Sequence, residues 1–238
     1  MFYRVGMVVA AGLAELGVKP ASALATDLAG HDGAGRWLPV LPALRDLMPD
    51  GLRRGSTVAI TARGEGATSL LLAVLAEPSR QGAWCAVIGM PTLSLAAAGS
   101  IGIALHRLAL VPQPGPDAAA IAATLLDGFD VVALATPGSL AASVRAHLAA
   151  RARQGGSALV TMMAWPGATV TLTAEGGTWV GRRRLRCRRL TVAAGGRGAA
   201  DRLRRSEMWL PEDPTLQATL SIAGADEPSG QRRLQVVR

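Results

Sequence analysis

Two stretches of this chain carry residues whose types and spacing could do chemistry. The first, Thr57 to Glu77, reads T-V-A-I-T-A-R-G-E-G-A-T-S-L-L-L-A-V-L-A-E. A short strand rich in Val, Ile and Thr, a turn holding Gly64 and Gly66, and a run of helix formers make the frame of a phosphate-binding loop. There, backbone N–H groups and a helix N-terminus converge on an anion. The nucleotide-binding pattern G-x-x-x-x-G-K-[ST], laid over Thr61 to Thr68, keeps Gly66 and the hydroxyl of Thr68. It has Thr61 for the first glycine and Ala67 for the lysine whose ammonium reaches the outer phosphates. Lys19 is the only lysine in the chain. Arg63 could meet an anion at the turn, but a planar guanidinium does not replace a compact ammonium.

The second stretch is cationic. Between Arg182 and Arg205 stand ten arginines against one acid, Asp201. On a strand, Arg182, Arg184, Arg186 and Arg188 share a face, a track that could follow phosphates with salt-dependent affinity; Arg189, Arg204 and Arg205 extend the candidate surface. The same charges equally suit a protected edge strand or a surface for an acidic partner. The overall balance agrees with anionic partners, at a net charge of +8 and a pI near 11.2. Aromatics at 3% argue against a platform of stacking rings for single-stranded bases.

Other chemistries find no constellation. His31, His106 and His147 lie far apart without carboxylates at ligand spacing, so no metal site is expected. Ser56, Ser69 and Ser94 lack a G-x-S-x-G elbow. Cys85 and Cys187 fall in expected strands with no C-x-x-C spacing, which points to neither a disulfide framework nor zinc.

The elements that must position these residues follow from periodicity. Residues 2, 5, 9, 13 and 16 form one helical stripe, so 1–36 reads as an amphipathic N-terminal helix and a loop of a cytoplasmic protein rather than a secretory signal. No segment is long enough to span a membrane. Residues 37–211 form the core domain. Strands are expected at Thr57–Thr61, Ala83–Ile88, Arg107–Val111, Phe129–Ala135 and Ala158–Met163. They alternate with helices at Ala67–Glu77 (stopped by Pro78), Leu93–Ala98, Asp117–Leu126 and Ser139–Gln154, the grammar of an α/β fold with a mostly parallel sheet. Phe129 to Ala135 is nearly all apolar, as a strand buried on both faces should be. From Ala168 onward short strands at Thr169–Thr173, Thr178–Val180, Leu185–Ala193 and Ser206–Leu210 follow without helices, so the sheet should finish in antiparallel hairpins. Trp165, Trp179 and Trp209 most simply fill the core beneath them, and one that stands exposed could instead anchor an interface. Residues 212–238 are expected to be a tail disordered in isolation.

This ordered frame resembles the RecA-like core. More specifically, G-A-T-S-L-L-L, G-A-W-C-A-V-I-G, R-L-A-L-V-P, L-L-D-G-F-D-V-V, A-A-R-A-R-Q-G-G and A-A-G-G-R-G-A-A-D-R-L-R-R-S-E-M-W-L-P are similar to the actinobacterial ImuA-type proteins. The resemblance covers roughly Leu38 to Pro211. It implies that the carboxylate holding magnesium in active relatives is replaced by Ala135, and the catalytic glutamate by Gly89-Met90-Pro91-Thr92. It also implies that the phosphate-sensing polar residue is lost near Met163-Ala164. The implied protein is no enzyme and takes no cofactor. It is an accessory scaffold of DNA-damage-induced translesion synthesis, cytoplasmic and nucleoid-associated when engaged in repair. It would contact an ImuB-type inactive Y-family polymerase homologue, beside an error-prone C-family polymerase, and DNA is a further partner. A homo-oligomer, ring or filament, stays open. So do three alternatives: a DNA-binding recombinase paralogue, a damage-induced division inhibitor, and a nucleotide binder without turnover that uses Thr68 and Arg63.

Overall fold

The apolar run Val131–Leu134 is buried along its whole length, inside an eight-stranded sheet that organises the protein. The structure, a computed structural model, describes residues 35–136, 138–180, 187–196 and 203–211. A short antiparallel pair comes first, β1 (Trp37–Leu38) with β2 (Leu52–Arg53). The main sheet takes β3 (Thr57–Ala62), β4 (Cys85–Ile88), β5 (Leu108–Val111), β6 (Val131–Leu134) and β7 (Ala158–Thr161). It continues with β8 (Val170–Val180), β9 (Cys187–Gly196) and β10 (Arg204–Leu210). The helices are α1 (Ala67–Arg80), α2 (Leu95–Ile101), α3 (Ala118–Leu125) and α4 (Ala142–Gly155).

In space the strands run β10-β9-β8-β3-β7-β6-β4-β5. All pairings from β8 to β5 are parallel, whereas β8 with β9 and β9 with β10 are antiparallel. This is the expected α/β architecture, a mostly parallel sheet ending in an antiparallel extension.

Period-two alternation divides the core. Val58, Ile60, Val87, Val131, Ala133 and Val160 meet α1, whose residues Leu70 to Ala76 are all buried. Ala59, Ala86, Ile88, Val132, Leu134 and Leu159 meet α3 and α4 through Ala122, Leu126, Leu148 and Ala152. Each fully buried leucine contributes about 1.5–3 kcal/mol of transfer free energy, so this two-sided burial is what fixes the register. Local chemistry sets the helix ends. Ser94 caps α2 by accepting from the Ala97 N–H at 3.2 Å, and Gly156 closes α4 in the left-handed region at φ 65°.

Three expectations need correction. Pro78 does not stop α1, which runs on to Arg80. A proline in the last turn removes a single intrahelical bond, and here the Pro78 carbonyl still accepts from Ala83 N–H at 2.9 Å. The two short strands expected at Thr169–Thr173 and Thr178–Val180 are one strand, β8, parallel to β3 and interrupted by a bulge between Ala174 and Gly176. Trp165 is buried and Trp209 half-buried, but Trp179 is 45% exposed and does not fill the core. The expected N-terminal helix and C-terminal tail lie outside the described residues. Among the described residues no helix is long and apolar enough to cross a membrane.

Candidate functional site

Because β3, β4, β6 and β7 are parallel, their C-terminal ends meet along one edge, where open α/β sheets usually bind ligands. The strand ends are tied together: Gly89 N–H donates to Val111 O at 2.9 Å, Ala135 N–H to Ile88 O at 2.9 Å, and Met162 N–H to Leu134 O at 3.0 Å. At the end of β3 the chain turns through Arg63, Gly64, Glu65 and Gly66 into α1. Gly66 is the N-cap residue, at φ 125° and ψ −11°, and no side chain caps the helix. Strand, turn and helix N-terminus therefore stand as the sequence expects, with Gly66 buried and Thr68 exposed on the first turn.

The groups around this loop are not those of a nucleotide site. Thr61 Oγ1 bonds sideways to Thr173 Oγ1 at 2.9 Å. Arg63 is 76% exposed and lies 3.8 Å from the Glu175 carboxylate, which Arg205 grips more closely at 2.6 and 3.0 Å. The hydrogen bonds and charge of Glu175 hold Arg205 above the ordinary arginine range. Glu175, only 14% exposed, sits in the β8 bulge and so joins the loop to β10.

Arg188 is the largest departure from expectation. It lies on the face of β9 that also carries Leu190, Val192 and Ala194, all buried, and its own side chain is only 8% exposed. Its guanidinium stacks over Trp179 at 5.3 Å. It donates to Ser69 Oγ at 3.3 Å, and it pairs with Glu65 at 3.4 Å. A cation at the positive end of a helix is misplaced unless an anion accompanies it, and Glu65 supplies that anion. Arg188 is thus no part of a solvent-facing track. Arg189, on the opposite face, is exposed, as is Arg205, and Arg204 is half-buried. Arg182, Arg184 and Arg186 lie outside the described residues.

Strand β9 also reaches the loop through Leu190. A Cβ placed on Gly66 would stand 2.5 Å from Leu190 Cδ1 and 3.3 Å from Ala174 Cβ. The loop is therefore braced from the side by the antiparallel extension.

At the remaining strand ends, β4 is followed by Gly89-Met90-Pro91-Thr92, β6 by Ala135-Thr136, and β7 by Met162-Met163-Ala164, with no carboxylate among them. The Oγ1 of Thr136 is buried without a hydrogen-bond partner. Among the described residues no cluster of three or more His, Cys, Asp or Glu could hold a metal ion. A magnesium nucleotide does not fit this donor set: the loop lacks a lysine, and the adjacent strand ends lack carboxylates.

Sequence reasoning missed Glu65, Glu175 and Leu190, whose roles arise from strands more than a hundred residues apart. It also missed Asp130. That carboxylate, 8% exposed, pairs with Arg54 at 2.7 Å and accepts from Trp84 N–H at 2.8 Å at the opposite edge of the sheet.

Comparisons with known proteins place this geometry in context. Residues 46–167, just over half of the chain, match the family model described as the MT3502 N-terminal domain. The matched region contains the phosphate-loop frame and the parallel strands β3 to β7, while β8, β9 and β10 fall beyond it. The chain is 42% identical over 112 residues to the uncharacterized protein Rv3395c of Mycobacterium tuberculosis. That match spans 46% of this chain and about half of the relative, 55% of its length. Among solved structures it is similar to the crystal structure of the RadB recombinase, at a TM-score of 0.49 and 11% identity, over 69% of this chain and 92% of that one. The chain belongs to the family of the MT3502 N-terminal domain.

Proposed function

We propose that this protein is a non-hydrolysing RecA-like accessory scaffold of DNA-damage-induced translesion synthesis. It acts through contacts with an ImuB-type inactive Y-family polymerase homologue, in an assembly that includes an error-prone C-family polymerase, and it takes no cofactor. The observation that carries the reading is the phosphate-loop frame itself. It keeps its strand, glycine and helix, yet its cation is Arg188 engaged with Glu65 and Ser69, and Ala135 and Gly89 stand where hydrolysis needs carboxylates. A fold that keeps the frame without the chemistry retains its value as a rigid platform. The ordered motif series from Gly66 to Pro211, similar to ImuA-type proteins, supplies the cellular context of the proposal.

The test is co-purification of tagged protein from DNA-damaged cells, full length and truncated after Pro211, with nuclease treatment before elution. Recovery of a Y-family polymerase homologue regardless of nuclease is the expected result. Recovery of DNA alone, or of division machinery alone, refutes the assignment.

A further inference from the structure

At the edge of the sheet opposite the phosphate loop, the turn Arg53-Arg54-Gly55 leads into β3 and is seated on the last turns of α4. Gly55 N–H donates to Ser157 O at 3.0 Å, and a Cβ on Gly55 would stand 3.3 Å from Arg153 Cα. Between this turn, α4 and the segment before β8 lies a cleft of about 410 Å³, lined by Arg53, Arg54, Arg153, Gly55, Ala149 and Thr169 among others. Its volume is within the range of pockets that hold a small ligand. Three arginines line it, and no carboxylate-bearing residue does.

The three arginines differ in their commitments. Arg54 is held: its Nη2 pairs with Asp130 at 2.7 Å, and its Nη1 donates to Gly156 O at 3.3 Å. That second bond occupies a carbonyl at the negative end of α4, which would otherwise repel an anion. Arg53 and Arg153 are exposed, and among the described residues neither guanidinium has an ion pair or hydrogen bond. Two uncommitted planar forks around one concavity, with a third fixed behind them, match the bidentate recognition of phosphoryl oxygens.

We infer that this cleft is a phosphate-binding site, taking the phosphodiester backbone of single-stranded nucleic acid or a free polyphosphate. The six residues of β3 separate it from the phosphate loop by about 20 Å, so it is a second site, and the inference does not depend on the scaffold reading.

The experiment titrates full-length protein with a short oligothymidylate and, separately, with inorganic pyrophosphate, at several salt concentrations. The variants are Arg53→Glu/Arg153→Glu, the charge-neutral obstruction Ala149→Leu, and the control Arg189→Glu/Arg204→Glu, each checked for folding by circular dichroism. The site predicts that affinity falls about tenfold or more in the first two variants, and that the salt slope drops by about 1–2 in the first. Loss of oligothymidylate binding identifies a nucleic-acid backbone as the ligand, and loss of pyrophosphate binding a free polyphosphate. Failure of the parent to bind either probe overturns the inference. So does an Ala149→Leu variant that binds like the parent, or a loss confined to the Arg189→Glu/Arg204→Glu control.

Discussion

Substituting Gly66 by alanine probes how the loop is held. The residue sits at φ 125° and ψ −11°, a conformation that an L side chain rarely adopts, and enforcing it costs about 1–3 kcal/mol. The new Cβ would also meet Leu190 Cδ1 at 2.5 Å, so that leucine must leave its rotamer well at about 1 kcal/mol more. Gly66→Ala should therefore destabilise the protein by about 3 kcal/mol. For a domain of this size the midpoint of thermal unfolding should fall by about 6–12 °C. The two contributions separate in a double-mutant cycle. Leu190→Ala alone costs about 2–5 kcal/mol as a cavity, but in that background Gly66→Ala retains only its backbone strain, which leaves a coupling of about 1 kcal/mol. Urea unfolding of the four proteins measures it. Full additivity, or a Gly66→Ala midpoint within about 2 °C of the parent, would show that β9 does not brace the loop.

Other outcomes follow from the same packing. Asp130→Ala strands the Arg54 guanidinium and the Trp84 N–H and should cost about 3 kcal/mol in urea unfolding, whereas Asp130→Asn, which keeps an acceptor, should cost less. Arg188→Met preserves an apolar stem against Trp179, so it should stay within about 1 kcal/mol of the parent, while Arg188→Ala loses about 2 kcal/mol; equal losses would contradict the packing role. Burial, with a smaller contribution from Asp130, pushes the Cys85 thiol from 9.0 up to about 12. The folded thiol then keeps its proton where the unfolded chain releases one, so stability falls as pH rises from about 9 toward about 12, by up to about 1.4 kcal/mol per pH unit. Below pH 9 the contribution is absent. Cys85→Ala should abolish that part of the slope, and an unchanged slope between the two proteins refutes it.

What could be read from the sequence was local. Phe129 to Ala135 announced a buried strand because the run has no polar face, and Gly155-Gly156 marked the end of α4 because that position needs a left-handed residue. The phosphate-loop frame was legible from Thr57 to Glu77 for the same reason. Pro78 misled because its penalty depends on where in the helix it falls. Gly176-Gly177 falls between the two short strands expected from the sequence, yet Gly176 at φ 142° belongs to a bulge, and Gly177 leaves room for the Arg188 side chain. Alternation puts Arg188 on the expected arginine track, but the same alternation along C-R-R-L-T-V-A sets it with Leu190 and Val192 on a buried face. The contacts of Glu175 with Arg63 and Arg205, and of Arg188 with Glu65, required knowing that β8 lies beside β3, which no local pattern encodes. The cleft at Arg53 and Arg153 was hidden likewise, since its charges come from two elements a hundred residues apart.

The most direct test of the account is titration of full-length protein with magnesium ATP in a calorimeter, paired with phosphate release from the same sample. A loop without lysine or strand-end carboxylates predicts no saturable heat up to about 1 mM nucleotide and no turnover above a Gly66→Ala control. Saturable binding at micromolar nucleotide with hydrolysis that the control lacks would contradict the claim that the frame survives as a platform alone.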